Sequence, residues 1–394
     1  MHVAFVASAV PRRCGIATYT SDLAAGVRMA DPSARLRFAA IDEPFAARTY
    51  GAHVSWRIAQ EDPDSYAAAA RAISRSTVDV VNLQHEFGLY GVWHDGLYDD
   101  HLRVFLDACT KPVVTTFHTV PPVPEPWAFA GIRDAAERSA AIVVMSATGA
   151  RLLREVYGVM KPPVVIEHGM PVIEPRGRRR LKRALAIEDR SVISTFGLVD
   201  PRKGLEYVVE ALPEILVQHP RALYLVIGQT HPELLKRQGE SYRNSLIDTA
   251  RRVGVTAQLR FVNQYLTQAE IVEFLLASDV YVTPYLDPAQ ITSGTLAYAL
   301  GAGKAIVSTP YLHAREVLAD DRGILVPFRD APAIAAAVTG ILSDPVRKHA
   351  LEERAYAYGR ATTWPAIGAQ TLTLMRHVLA GGKRDVVAAP ALIA

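Results

Sequence analysis

Residues 192–206 read Val192-Ile-Ser-Thr-Phe-Gly-Leu-Val-Asp-Pro-Arg-Lys-Gly-Leu-Glu206. An apolar, β-branched run ends at Gly197. A polar turn then carries Arg202 and Lys203, and Gly204 opens an amphipathic stretch that continues to His219. The order is strand, glycine, cationic turn, helix. Two cations beside a helix N-terminus add fixed charge to free N–H groups and a favourable dipole, which is the chemistry that holds a diphosphate. The alternative reading is a solvated turn with two ordinary surface cations.

The same order repeats outward from this stretch. Strands are predicted at 191–196, 222–227, 258–261, 280–282, 305–308 and 323–326, with helices at 204–219, 240–253, 268–277, 294–301 and 331–342. On the N-terminal side strands are predicted at 3–7, 36–41, 78–83, 113–117, 141–145 and 164–167, with helices at 15–29, 66–74, 102–108 and 147–156. The strand runs are almost continuously apolar, as in parallel sheets buried on both faces. Their alternation with helices predicts α/β architecture with two doubly wound, Rossmann-like domains. The expected boundaries are 1–170 for the first domain, 171–185 for an interdomain junction and 186–363 for the second domain. A C-terminal helix at 364–380 and an aperiodic, loosely held tail at 381–394 complete the chain. The junction carries Pro171, Pro175, Gly177 and the basic run Arg176, Arg178, Arg179 and Arg180. That run reads either as a solvated linker face or as acceptor or lipid-headgroup contact. Two halves joined by a hinge make a cleft, and clefts at domain interfaces are where ligands sit.

Composition narrows the function. A chain of 394 residues accommodates two domains. Its 43 basic and 40 acidic residues leave a net charge of +3, too balanced for a nucleic-acid-binding stripe. Two cysteines, Cys14 and Cys109, make no disulfide framework, so a cytoplasmic protein is expected. Residues 1–8 lack the pattern of a signal peptide, and no apolar run reaches the roughly 18 residues of a membrane span. Peripheral membrane contact stays open.

Three further groups carry chemistry. Directly after the first strand, the loop Val10-Pro-Arg-Arg-Cys-Gly15 leads into a helix, so Gly15 either lets the backbone approach an anion or merely permits a tight turn. Around residues 285–308, Gln290, Thr292, Ser293, Gly294 and Thr295 precede or open a helix, with Thr292 or Ser293 as its N-cap. Ser293, Gly294 and Thr295 offer hydroxyls and N–H groups to donor phosphates or sugar, while Ala297, Ala299 and Leu300 on the other face pack on a sheet. Finally His85, Glu86, His118 and His168 stand at carboxyl ends of strands, the edge where open α/β sheets bind ligands. No metal-type H-x-x-x-H or C-x-x-C spacing occurs, and no Asp-x-Asp pair is placed to clamp Mg²⁺. The adjacent pairs Asp99-Asp100 and Asp320-Asp321 read as surface turns.

From the first strand to the Trp364 helix the chain resembles a GT-B-fold retaining glycosyltransferase of family 4. Gly15 matches that family's N-terminal glycine loop. Thr116-Phe-His118 resembles the strand-end histidine that contacts the transferred sugar. Glu167-His-Gly-Met-Pro171 resembles the interdomain turn, with His168 where Asn is usual. Phe196 to Gly204 resembles the donor-phosphate motif, and Asp279 to Tyr285 with Gly301 to Val307 resembles the segments flanking the E-x7-E motif. The departures are Leu198 in place of Arg, and Gln290 and Tyr298 in place of the two glutamates. In the family the first glutamate contacts the donor sugar and the second holds the nucleotide ribose. Arg202 is a candidate to replace the missing charge, and Glu316 is a candidate substitute carboxylate.

The resemblance implies retaining, metal-independent transfer of a hexosyl group to a hydroxyl acceptor. The donor is a nucleotide-diphosphate sugar of GDP-mannose or UDP-glucose type, and no cofactor is required. Lys203, Arg202 and helix N-termini stabilise the departing diphosphate, and His118 positions the sugar. His85, Glu86 and His168 fall on the acceptor or sugar side. The competing readings are a phosphorylase-like enzyme using a sugar 1-phosphate, a non-catalytic nucleotide- or sugar-binding protein, and a nucleotide-sugar epimerase.

Overall fold

The computed structural model describes residues 1–44 and 47–381. The chain divides into two compact units, Met1–Gly169 with Trp364–Ala394, and Met170–Thr363. The expected tail at 381–394 lies outside the described residues, except for Gly381.

The first unit holds strands β1 (His2–Ala7), β2 (Arg35–Asp42), β3 (Val54–Ala59), β4 (Val80–His85), β5 (Gly91–His94), β6 (Leu97–Asp100), β7 (Val113–Phe117), β8 (Ala141–Val144) and β9 (Val164–Val165). Seven of them form one sheet in the order β3-β2-β1-β4-β7-β8-β9, with every pair parallel. β5 and β6 form a separate antiparallel hairpin. Asp95 and Gly96 turn that hairpin with φ of 49° and 82°, the left-handed backbone a two-residue Asp-Gly turn requires. The pair Asp99-Asp100 therefore lies in a strand and not in a surface turn.

The second unit holds β10 (Ser191–Phe196), β11 (Ala222–Ile227), β12 (Leu259–Val262), β13 (Val280–Thr283), β14 (Ala305–Ser308) and β15 (Ile324–Leu325). They make one parallel sheet in the order β12-β11-β10-β13-β14-β15. Side chains of β11 show why these runs read as continuously apolar. Leu223, Leu225 and Ile227 enter the core on one face, and Tyr224 and Val226 enter the core on the other. Helices cover both faces. The helix Gln268–Ala277 starts in a capping box, with Thr267 and Glu270 exchanging side-chain and main-chain bonds.

Two parts of the domain plan differ from expectation. Residues 171–185 belong to the second unit, because Arg178–Ala184 forms a helix whose Leu181 and Lys182 are buried and whose Arg178 bonds Glu352 Oε1 at 2.6 Å. The helix Trp364–Leu379 belongs to the first unit. It packs on the helix Gly15–Ala30 and puts Ile367, Leu372 and Met375 into the core that holds Val3, Phe5 and Leu23. The two helices meet backbone to backbone. A Cβ on Gly26 would lie 2.2 Å from the carbonyl oxygen of Trp364, and one on Gly368 would lie 2.2 Å from the Gly26 carbonyl carbon.

Gly26→Val must therefore force the C-terminal helix off its seat. Overpacking of this kind costs about 1–3 kcal/mol. The thermal midpoint of the variant should fall by roughly 3–10 °C, and an unchanged melting curve would contradict the backbone contact.

Candidate functional site

In each sheet the strand order reverses beside the first strand, between β1 and β4 and between β10 and β13. Loops leaving these neighbours run to opposite sides, which opens a crevice at the carboxyl edge where ligands bind in doubly wound folds. The sequence-predicted residues gather at these two places, one in each unit.

In the second unit β10 ends at Phe196 and the chain turns at Gly197, whose φ is 125°. The short 3₁₀ turn Pro201–Lys203 follows, capped by Asp200, and Gly204 stands at φ 62°. A Cβ on Gly204 would lie 2.3 Å from the Pro284 carbonyl oxygen, so the turn is pressed against the segment leaving β13. Lys203 points inward. Its Nζ lies 3.8 Å from the centre of the Tyr285 ring. A Cβ on Gly197 would come 3.2 Å from Thr295 Cγ2 and 3.9 Å from Lys203 Nζ. Gly197, Lys203, Tyr285 and Thr295 thus share one spot. Burial lowers the Lys203 ammonium to about 8, with Asp200 opposing the shift and Arg202 adding to it.

Arg202 does not join them. Its side chain is 76% exposed, and the guanidinium is gripped by Asp200 through Nε to Oδ1 and Nη2 to Oδ2, each 2.9 Å. Burial works against the Asp200 carboxylate, but Arg202 holds it below the usual range. The charge expected to stand in for the arginine missing at Leu198 is thus paired with Asp200 in this structure.

The helix Gly294–Gly301 opens over the same place, and Ser293 is its N-cap, accepting from Leu296 N at 3.3 Å. Ser293 Oγ lies 3.2 Å from Thr295 Oγ1, which bonds Tyr285 OH at 2.6 Å. The Ser293 N–H donates to His313 Nδ1 at 3.1 Å, so it is not available to a phosphate as expected. This bond also fixes the acceptor nitrogen of His313. His313 N in turn donates to the Gln290 carbonyl at 3.0 Å. Sequence reasoning missed His313, because no local pattern ties it to a turn twenty residues earlier. Gln290 donates its side-chain amide to the Thr292 carbonyl at 2.8 Å and so braces the turn. The Thr292 hydroxyl is buried with no hydrogen-bond partner among the described residues. Glu316 is half-buried on the helix Leu312–Val317, one turn beyond His313. Tyr298 faces the core instead: it is buried beside Phe196 and accepts from Gln268 Nε2 at 3.0 Å.

In the first unit the helix Gly15–Ala30 is capped by Cys14, whose Sγ lies 3.0 Å from Ser8 Oγ. Gly15 has no left-handed φ, and a Cβ there would meet nothing within 4 Å. The turn itself does not need this glycine.

His118 follows β7 and is buried, with Nε2 2.7 Å from Gln84 Oε1 and its ring edge-on to Tyr19 at 4.7 Å. Gln84 also bonds Asn82. Tyr19 is further flanked by His168 at 5.1 Å and Trp364 at 5.3 Å. His168 is half-buried, with Nδ1 2.7 Å from the Gly169 carbonyl. The structure thus brings His118 and His168 together around Tyr19, with Gln84 and Trp364 as partners that sequence spacing did not reveal. His85 ends β4, buried against Phe117, with Nδ1 unpartnered among the described residues. Glu86 is half-buried and accepts from Thr119 Oγ1 and Phe87 N, each at 2.9 Å. Burial raises its carboxyl to about 7. Burial likewise lowers His118 to about 3 and His85 and His168 to about 4, and the other two histidines lower His118 further. All three imidazoles are neutral at pH 7.

Among the described residues no group of three or more His, Cys, Asp or Glu is placed to hold a metal, and no helix is long and apolar enough to cross a membrane.

The chain is similar to known glycosyltransferases in sequence and in fold. The family described as "Glycosyl transferases group 1" matches residues 177–359. A phosphatidyl-myo-inositol mannosyltransferase of Mycolicibacterium smegmatis is 28% identical over 70% of this chain and 68% of its own. Among solved structures, sucrose-phosphate synthase from Thermosynechococcus elongatus has a TM-score of 0.77 at 17% identity, covering 97% of this chain and all of the other. Anabaena HepE, solved with UDP and glucose, has a TM-score of 0.72 at 15% identity, covering 95% of this chain and 99% of its own.

The three lowered histidines set a pH dependence. Through these three groups the unfolded chain binds more protons than the folded one between about pH 4 and 6.5, and they outnumber Glu86 and Asp100, whose raised carboxyls act in the opposite sense, so stability rises with pH across that window. Urea midpoints should fall between pH 7 and pH 5. The fall should be smaller in His85→Gln, and an equal fall in that variant would place the effect elsewhere.

Proposed function

We propose that this chain, a glycosyltransferase of the GT-B fold whose residues 177–359 form a group 1 glycosyl transferase domain, moves a hexosyl group from a nucleotide-diphosphate sugar to a hydroxyl acceptor with retention of configuration. The second unit takes the donor and the first unit takes the acceptor. The observation that carries this reading is the inward Lys203 ammonium, set against Tyr285 beside Gly197 and Thr295 at the carboxyl edge of the second sheet.

A half-buried ammonium that burial already disfavours, with no carboxylate at ion-pair distance among the described residues, is stabilised when an anion arrives. The diphosphate supplies that anion. Lys203 and the N–H groups of Gly294 and Thr295 meet the negative charge that grows on the leaving oxygen, and they are in place before the bond breaks. This work falls to the chain's own groups and not to a metal. The Thr292 hydroxyl is a further unspent donor for the phosphates or sugar. Retention follows from the family resemblance: the acceptor hydroxyl attacks on the face the diphosphate leaves, and the phosphate oxygen takes its proton. His118, neutral and fixed by Gln84, contacts the transferred sugar. Gly15 leaves open space at its helix start for the ligand.

Mannose is the sugar we assign, since the curated relatives include mannosyltransferases of about this length. The donor is then GDP-mannose, with UDP-glucose as the alternative that the HepE complex keeps in view. Tyr298 in the core removes one ribose contact of the family, so the ribose must be held by other groups. Calorimetry with GDP- and UDP-sugars, followed by mass spectrometry of products with an acceptor panel, tests the assignment. Binding of sugar 1-phosphates without nucleotides would favour a phosphorylase.

Two outcomes are specific to Lys203. Lys203→Ala should lower kcat by about a hundredfold or more with little change in melting temperature, and unchanged turnover would remove the phosphate role. A bound diphosphate also favours the charged amine, so its pKa rises on binding. Near pH 8 nucleotide binding should take up protons, seen as a buffer-dependent enthalpy. Lys203→Arg should abolish that dependence.

A further inference from the structure

An aromatic surface runs along the carboxyl edge of the first sheet, and the donor chemistry does not use it. Phe87 follows Glu86 directly, and its ring meets His85 at 5.1 Å and Trp127 at 5.0 Å. Trp127 stands at the start of the helix Pro126–Arg138 and meets Trp93 of β5 at 5.0 Å. Trp93 is 51% exposed, and Phe87 and Trp127 are half-buried. The cross-strand contact of Trp93 with Tyr98, at 5.0 Å, accounts for a stable hairpin. It does not account for half an indole left in water beside the strand ends.

The charge of the segment that carries Phe87 and Trp93 bears on the ligand. Residues 86–100 carry Glu86, Asp95, Asp99 and Asp100 and no lysine or arginine. Surfaces that hold anionic lipid or phosphate carry the opposite sign. An aromatic face beside a carboxyl group suits an uncharged sugar ring instead: the apolar C–H face lies on the indole, and hydroxyls bond the carboxyl oxygens. Each Glu86 oxygen accepts one bond from the chain and keeps a lone pair for a second.

We infer that Phe87, Trp93 and Trp127, together with Glu86, form a subsite for an uncharged pyranose of the acceptor, so that the acceptor is a neutral saccharide and not an anionic phospholipid headgroup. The assignment rests on the reading of the first unit as the acceptor side.

The test uses the full-length protein. Maltotriose and mannotriose are titrated by saturation-transfer NMR and tryptophan fluorescence, alongside GDP and UDP by calorimetry and flotation with phosphatidylcholine–phosphatidylinositol vesicles. At least one trisaccharide should bind. Trp93→Ala should weaken that binding about five- to tenfold, leaving the nucleotide Kd unchanged, and Trp93→Tyr should recover most of the loss. Should Trp93→Ala melt early, Trp93→Leu serves in its place. Leu97→Ser, on the same hairpin, should have no effect. Vesicle binding without saccharide binding, no binding of either trisaccharide, or equal saccharide affinity in the Trp93 variants overturns the inference. Nucleotide binding separates the two claims: its absence in the wild type removes the transferase reading, and its presence without saccharide binding removes only the subsite.

Discussion

A parallel sheet gathers the N-termini of its following helices at one edge, and the reversal of strand order decides where on that edge there is room. In this chain both reversals are occupied by polar groups with unspent capacity. The opposite edge of the second sheet gives the contrast. Asp279, just before β13, accepts from Lys182 at 2.5 Å and from Val192 N at 2.8 Å, while Glu352 is closed by Arg178 and Lys348, each at 2.6 Å. Those charges are matched inside the fold and hold helices to the sheet. Lys203 is left with an aromatic face instead of a carboxylate.

The first unit solves a different problem. Three neighbouring imidazoles, two of them buried, are kept neutral by desolvation, and the partners of His118 and His168 set the direction of their hydrogen bonds. Tyr19 acts as the spacer between two of them, and its own hydroxyl is pushed upward by burial. The result is a rigid, uncharged wall beside a half-buried carboxyl, which suits hydroxyl-bearing ligands better than ions.

The strands and helices at both reversals were legible because their signals are local: an apolar run ending at Gly197, and a helix start marked by Ser293. The edge strand β3 was not, since Val54–Ala59 alternates exposed and covered residues and carries Arg57. The hairpin was missed although Asp95-Gly96 is a turn signal, because its four-residue strands carry no long apolar run. The helix Pro345–Ala361 is too polar to show a clear face. Site partners were the least legible. Lys203 was found from its motif, but the capture of Arg202 by Asp200 depends on side-chain geometry that spacing does not encode. Ser293 with His313, and Tyr19 with Trp364, are pairings made only by the folded sheet order.

The second unit begins and ends on paired residues: Met170 bridges Thr363, and its N–H donates to the Thr362 carbonyl at 3.0 Å. Topologically it is a cassette set into the first unit, whose last helix is made from the far end of the chain. A ribosome therefore finishes the second unit before the first can close. Until Trp364 and Gly368 have emerged, the groove along Gly26 stays uncovered, so a premature stop after Thr363 injures the amino-terminal half of the enzyme and spares the half nearest the lesion.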